Sequence, residues 1–284
     1  MNTIQRYLES PEVTGLAKST RDLYANALKH VDQFLPMDTD EEWLSKKIDQ
    51  FAQYLEAKDL SGKSIQQYLT CTKIFLKWAG HPTEFTYKIT NKDRQANKKK
   101  HLDRWFDEKD IERCLAYKFD NVNGDGLLYR TIVRLLVETG ARVGEISGIR
   151  SEDVFLDERY VLIQGKTEPR PVIFSDTTAE MLKRIIGGSL PWGKSATIFP
   201  DVAKVKAVIT RMLEDLELKS GSDGRGPHTL RHFAATWLFY VGNMRIEDLS
   251  FLLGDKVETI RERYLHPTPA MIRDRVHAAW KKIG

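Results

Sequence analysis

Cysteine is scarce in this sequence, which holds only Cys71 and Cys114 among its 284 residues. The two lie far apart and in no metal-ligand spacing, so neither a disulfide framework nor a cysteine-built zinc site is on offer. Both read as small core residues of a protein working in a reducing cytoplasm, with no metal and no cofactor expected. Long apolar runs are missing too: nothing approaches the roughly 20 residues of a membrane-spanning helix. The opening "MNTIQRYLES" lacks the apolar core of a secretion signal. Internal repeats and low-complexity tracts are absent. A hydrophobic share of 41% and a charged share of 30% are those of an ordinary folded chain. Its length suits two domains better than one.

The net charge of +4 is small, but it is concentrated. "KDRQANKKKHLDR", residues 92 to 104, carries six basic and two acidic residues, so the rest of the chain is neutral on balance. A charge run is first a solvated linker. A basic linker also suits a duplex passing between two domains, because DNA affinity rests largely on neutralised phosphates. The candidate contacts are Lys92, Arg94, Lys98, Lys99 and Lys100.

Residues 1–90 follow a helical period throughout. A short helix over 2–9 precedes "AKSTRDLYANALKHVDQFL", which offers Ser19 or Thr20 as a cap and repeats Leu23, Ala27, Leu28, Val31 and Phe34 at three-to-four spacing. "DEEWLSKKIDQFAQYLEAK" predicts one helix with acidic residues in its first turn. "SGKSIQQYLTCTKIFLKWAG" predicts another, with Ile65, Leu69, Ile74 and Trp78 inward and Gly80 as its stop. This makes a four-helix domain without a catalytic constellation. Ser19, Thr20, Lys63 and Ser64 read first as caps and second as grips on a DNA backbone.

Residues 105–284 form a second unit, mostly helical with one small sheet. A helix near 107–117 and the apolar "LLYRTIVRLLVETG", stopped by Gly140, lead to a hairpin. "RYVLIQG" and "RPVIF" are its strands and "KTEP" its turn. Helices return over 176–186 and 202–216, from Pro227, and from about 246 onward. "GPHTLRHFAATWL" sets His228, Arg231 and His232 in the first turns of a helix whose other side is apolar, a place that could hold a phosphate. Arg142 and Glu145 stand three apart and can pair across one turn.

Four stretches, "TGARVGEISGIR", "IQGKTEPR", "HTLRHFAATWL" and "LGDKVETIRERYLHP", occur in an order and at separations that closely resemble the tyrosine recombinase, or phage integrase, family, including its Xer-type members. The family's first arginine and nearby glutamate match Arg142 and Glu145, and its hairpin lysine matches Lys166. Its "HxLR" matches His228 and Arg231, and its tyrosine nucleophile matches Tyr264, which Leu265 and His266 follow. The amino-terminal half resembles the family's helical core-binding domain. The resemblance implies a two-domain C-shaped clamp: a core-binding domain over 1–90, a linker over 91–104 and a catalytic domain over 105–284. One position departs, because Asp255 stands nine residues before the tyrosine, where the family usually has the histidine of "LGH". A carboxylate repels a phosphate, so Lys256 or His232 supplies the missing donor or the site runs with one fewer.

The resemblance implies that duplex DNA is cut and rejoined through a 3′-phosphotyrosine, without metal or ATP. Arg142 and Arg231 would hold the non-bridging oxygens, His228 would take the tyrosine's proton, and Lys166 would protonate the departing 5′ oxygen. Glu145 would orient Arg142, and His232 would support the site or cap its helix. The expected setting is the nucleoid, with four protomers joining two recombination sites. The task is chromosome or plasmid dimer resolution, or integration and excision of a mobile element. A type IB topoisomerase and a catalytically weakened DNA-binding relative are the alternatives. The terminal "PTPAMIRDRVHAAWKKIG" forms an amphipathic helix that packs on its own domain or docks on a neighbouring protomer.

Overall fold

The structure is a computed structural model that describes residues 3–35, 39–58, 60–88, 105–120, 125–165, 168–188, 197–221, 223–267 and 269–281. The chain divides into two compact units, residues 1–100 and 101–284. Among the described residues the first unit is wholly helical: α1 (Thr3–Leu8), α2 (Pro11–Thr14), α3 (Lys18–Phe34), α4 (Glu41–Lys46), α5 (Ile48–Glu56) and α6 (Gly62–Trp78). Leu28 and Val31 of α3 pack with Phe51 and Leu55 of α5 and with Leu69, Phe75 and Leu76 of α6, all fully buried.

Four local expectations change here. Ser19 and Thr20 sit inside α3, because Ala17 is the cap and its carbonyl receives the amides of Thr20 and Arg21. The predicted single helix over 41–56 breaks at Lys47 (φ −119°, ψ 22°), while Asp40 caps α4 by accepting from the Trp43 amide at 3.1 Å. Ser61, not Ser64, caps α6, accepting from the Ser64 amide at 3.1 Å. Ile74 is 44% exposed. Nine residues at about 100° each put it opposite Ile65, so Phe75 and Leu76 take the inward places.

In the second unit α7 (Glu108–Ala116) and α8 (Gly126–Thr139) lead into α9 (Val143–Ser147) and a 3₁₀ turn, Ser151–Asp153. A three-stranded antiparallel sheet follows: β1 (Val154–Phe155), β2 (Tyr160–Ile163) and β3 (Arg170–Ile173), in the order β1-β2-β3. Val161 pairs with Val172 and Ile163 with Arg170, so Val161, Ile163 and Val172 face the core while Ile173 faces out. The predicted hairpin is β2–β3, and β1 adds a third strand of two residues. The helices α10 (Asp176–Gly187), α11 (Val202–Asp215), α12 (Pro227–Tyr240), α13 (Ile246–Leu253), α14 (Val257–Arg263) and α15 (Pro269–Trp280) complete the unit. Helix α8 is its hub, packing on α7, α10 and α12. Cys71 and Cys114 are both buried and unpaired with each other.

Candidate active site

The site grows from the ends of five helices. Helix α8 stops at Gly140, whose left-handed backbone (φ 63°) turns its carbonyl towards α12, where Arg231 Nη1 donates to it at 2.6 Å. Two residues on, Arg142 is extended and caps α9. Its amide donates to Glu145 Oε2 at 2.7 Å and its Nη1 to Glu145 Oε1 at 3.0 Å. Glu145 is only 6% exposed, and a second guanidinium grips it: Arg170 Nη1 and Nη2 donate to its two oxygens at 3.1 and 2.9 Å. Arg170 Nε donates onward to the Leu252 carbonyl at 2.8 Å, tying the first residue of β3 to α13.

Helix α13 then ends at Gly254, again left-handed (φ 62°). A Cβ there would stand 2.8 Å from Arg170 Cζ, so only glycine fits. The turn delivers Asp255. Its Oδ1 accepts from Arg142 Nη2 at 2.5 Å, and its Oδ2 accepts from Arg231 Nη2 at 2.6 Å and from the Tyr264 hydroxyl at 3.1 Å. Helix α14 sets Tyr264 at its C-cap, where Thr236 Oγ1 pins the tyrosine's carbonyl at 2.6 Å. Tyr264 is 3% exposed and packs with Ala235, Leu249, Leu253 and Ile260. The Arg231 Nε donates to its hydroxyl at 3.2 Å.

Arg231 is the largest fully buried side chain described, at 1% exposure, whereas Arg142 is 33% exposed. Its place in the helix start is therefore not an open anion site. One guanidinium is built into the floor and the other stands at the opening. Burial alone would raise the Asp255 carboxyl, but the Arg231 and Arg142 charges outweigh it and hold the group below the usual carboxylate range. Glu145 is held low in the same way, burial opposing and Arg170 and Arg142 prevailing. For His228, desolvation together with the Arg231 and Arg142 charges pushes the pKa down to about 4. Part of the ring remains open to water, which tempers that shift, and the imidazole is neutral near pH 7.

These shifts predict the acid limit of stability. A carboxylate lowered by folding contributes stability above its unfolded pKa, about 4.3 for glutamate, and loses it as pH falls through the folded value. Thermal stability should therefore fall steeply below about pH 4. In Glu145→Gln the neutral-pH stability should drop and the acid decline should flatten; an unchanged decline would remove Glu145 from the account.

Of the residues predicted from sequence, Arg142, Glu145, His228, Arg231, His232, Asp255 and Tyr264 come together. The His228 and His232 rings lie 5.7 and 4.7 Å from the Tyr264 ring, centre to centre. Lys256 is exposed beside Asp255. Lys166 lies outside the described residues, as do Lys92, Arg94, Lys98, Lys99 and Lys100. Ser19, Thr20, Lys63 and Ser64 belong to the other unit, at the starts of α3 and α6. Sequence reasoning missed Arg170 and Trp105. Trp105 stacks on His266 at 4.6 Å and meets His232 at 4.2 Å. The signal for Arg170 was a charge opening an otherwise apolar strand. Trp105 had no comparable signal.

The sequence profile of the phage integrase family matches residues 104–271. Tyrosine recombinase XerA of Saccharolobus solfataricus is 26% identical over 89% of this chain and 84% of its own length. Tyrosine recombinase XerD of Staphylococcus saprophyticus is 26% identical over 95% of each chain. Among solved structures, XerH recombinase bound to its difH substrate aligns with a TM-score of 0.67 at 18% identity, over 96% of this chain and 82% of that one. The Tn1549 transposon integrase with transposon right-end DNA gives 0.64 at 16% identity, over 98% and 99%. The chain belongs to the phage integrase family and is a tyrosine recombinase, an enzyme that breaks and rejoins DNA.

Proposed function

We propose that this enzyme cuts one strand of duplex DNA at a specific recombination site by joining Tyr264 to the 3′ phosphate, then passes the strand to a second duplex. One observation carries the reading: two guanidiniums and a phenol hydroxyl converge on one anionic group, the Asp255 carboxylate. A phosphodiester meeting the same donors would have its non-bridging oxygens on Arg142 and Arg231 and its phosphorus before the Tyr264 oxygen. Planar paired donors suit charge spreading over those oxygens, which a lysine would not match. Neutral His228 offers a further hydrogen bond. Lys166, the match to the family's lysine, would protonate the departing 5′ oxygen. The phosphotyrosine keeps the energy of the broken bond, so a 5′ hydroxyl from another strand reseals it without ATP.

Full-length similarity to Xer-type recombinases favours exchange between two copies of a site, as in dimer resolution and chromosome segregation, over integration of a mobile element. The basic linker and the starts of α3 and α6 would grip the duplex backbone. Four protomers would act together in the cytoplasm, on the nucleoid. Helix α15 supports assembly: Ile272, Val276 and Trp280 form an exposed apolar stripe at helical spacing. A cavity of about 630 Å³ on the same unit, lined by Ile111, Leu115, Val137, Phe233, Trp237 and Leu252, would accept that stripe from a neighbour.

Incubation with a nicked duplex that lets the 5′ fragment escape is expected to trap protein covalently on DNA. Binding without any adduct would identify a weakened DNA-binding relative instead. Rapid relaxation of supercoiled plasmid lacking a recombination site would favour a type IB topoisomerase.

A further inference from the structure

Formation of the phosphotyrosine requires the Tyr264 proton to go somewhere, and family resemblance assigns it to His228. The geometry differs. The His228 and Tyr264 rings meet at 63° with centres 5.7 Å apart, whereas the Tyr264 hydroxyl donates to Asp255 Oδ2 at 3.1 Å. The same phenol oxygen accepts from Arg231 Nε at 3.2 Å, so it already has a cation to stabilise developing phenolate and a carboxylate facing its proton. Building on the recombinase reading above, we propose that Asp255 is the proton acceptor for Tyr264 and that the arriving phosphate switches it on.

The switch follows from competition for donors. Arg231 spends Nη1 on the Gly140 carbonyl, Nη2 on the Leu253 carbonyl as well as on Asp255, and Nε on Tyr264. Arg142 spends Nη1 on Glu145 and Nη2 on Asp255. Asp255 holds one Nη2 hydrogen of each guanidinium, so a phosphodiester drawn to the same pair of cations competes with it. In the free enzyme those contacts keep the carboxyl acidic and make it a poor base. When phosphate oxygens bind the guanidiniums, the phosphate charge offsets the cationic influence that lowered Asp255. Its burial remains, a second negative charge stands beside it, and both raise its proton affinity. Binding of DNA therefore converts a salt-bridged carboxylate into a competent base.

The step balances. The Tyr264 Oη–P bond forms, the P–O5′ bond breaks, the phenol proton passes to Asp255 Oδ2, and the 5′ oxygen takes a proton from Lys166. Protonated Asp255 is neutral, and its O–H donates to a non-bridging oxygen, the place where the family's usual histidine would donate. Rejoining runs the same transfers backwards. The titratable and charged groups facing Asp255 are Arg142, Arg231, Tyr264 and His228, with Lys256 next to it in sequence and the Glu145–Arg170 pair behind Arg142.

The test uses the full chain and a nicked suicide duplex, read as the single-turnover rate of adduct formation against pH, with duplex affinity measured separately. Asp255→Asn keeps the shape but cannot accept the proton. It should bind DNA at least as tightly as wild type, form adduct about 10²- to 10⁴-fold more slowly, and lose the acidic limb of the rate profile. Adduct formation by Asp255→Asn at or above the wild-type rate would overturn the proposal and leave Asp255 as a plug in the phosphate site. If Asp255→Asn does not fold, His228→Gln decides. Retention of the acidic limb supports Asp255, and its disappearance makes His228 the base. A wild type that binds yet never forms adduct overturns the recombinase reading, and this role with it.

Discussion

Arg231→Lys is expected to leave no measurable cleavage and a less stable protein, although the charge is preserved. The guanidinium is 1% exposed and fans its donors to the Gly140 and Leu253 carbonyls, to Asp255 and to Tyr264. An ammonium is a single centre and cannot reach four acceptors arranged around a plane. At least one buried carbonyl would go unpaired, each such group costing about 1–3 kcal/mol. Asp255 would be left on Arg142 alone, so a total loss on the order of 3–5 kcal/mol is expected in denaturant unfolding. Removal of one preorganised donor to a transition-state oxyanion typically slows chemistry by about 10²–10³. Here the same change also frees the Tyr264 hydroxyl, so adduct formation should fall further. Unfolding at the wild-type denaturant midpoint, or cleavage within tenfold of wild type, would contradict this account of Arg231.

Arg170→Met carries the second large effect, at a residue that touches neither phosphate nor nucleophile. It would leave Glu145 buried against Arg142 alone, and stranding one partner of a buried pair costs about 3–5 kcal/mol. With Arg170 gone, Glu145 would draw Arg142 back from the opening, and cleavage should fall with stability. The double variant Arg170→Met with Glu145→Leu separates the two consequences. Removal of both charges should recover much of the stability, because no buried charge is stranded. Cleavage should stay low, because Arg142 then keeps only Asp255, the contact with which an arriving phosphate competes. Recovery of both together would make Arg170 a stabilising residue only.

How far these features could be read from sequence depends on their range. Gly140 as a helix stop, the β2–β3 hairpin and the Arg142–Glu145 pair are local patterns, set by turn chemistry and helical spacing. Tyr264 was recognisable only by resemblance, since a tyrosine after a short polar helix carries no intrinsic mark. Arg170 carried a local signal, but its role was out of reach because its partner Glu145 lies 25 residues earlier, and only tertiary packing shows that the pair is buried. The bonds of Asp255 to residues 113 and 24 positions earlier were hidden for the same reason. The break at Lys47 and the outward Ile74 show the converse, tertiary packing overriding a helical pattern that looked continuous. β1, two residues long, has no alternation to detect.

The central claim is that the Tyr264 oxygen becomes bonded to DNA, and mapping the trapped adduct tests it most directly. Trypsin should release the peptide Tyr264–Arg273 bearing the nucleotide. Tyr264→Phe should bind the duplex with wild-type affinity and yield no adduct. A nucleotide found on Tyr240 or any other side chain, or an adduct formed by Tyr264→Phe, would contradict the account.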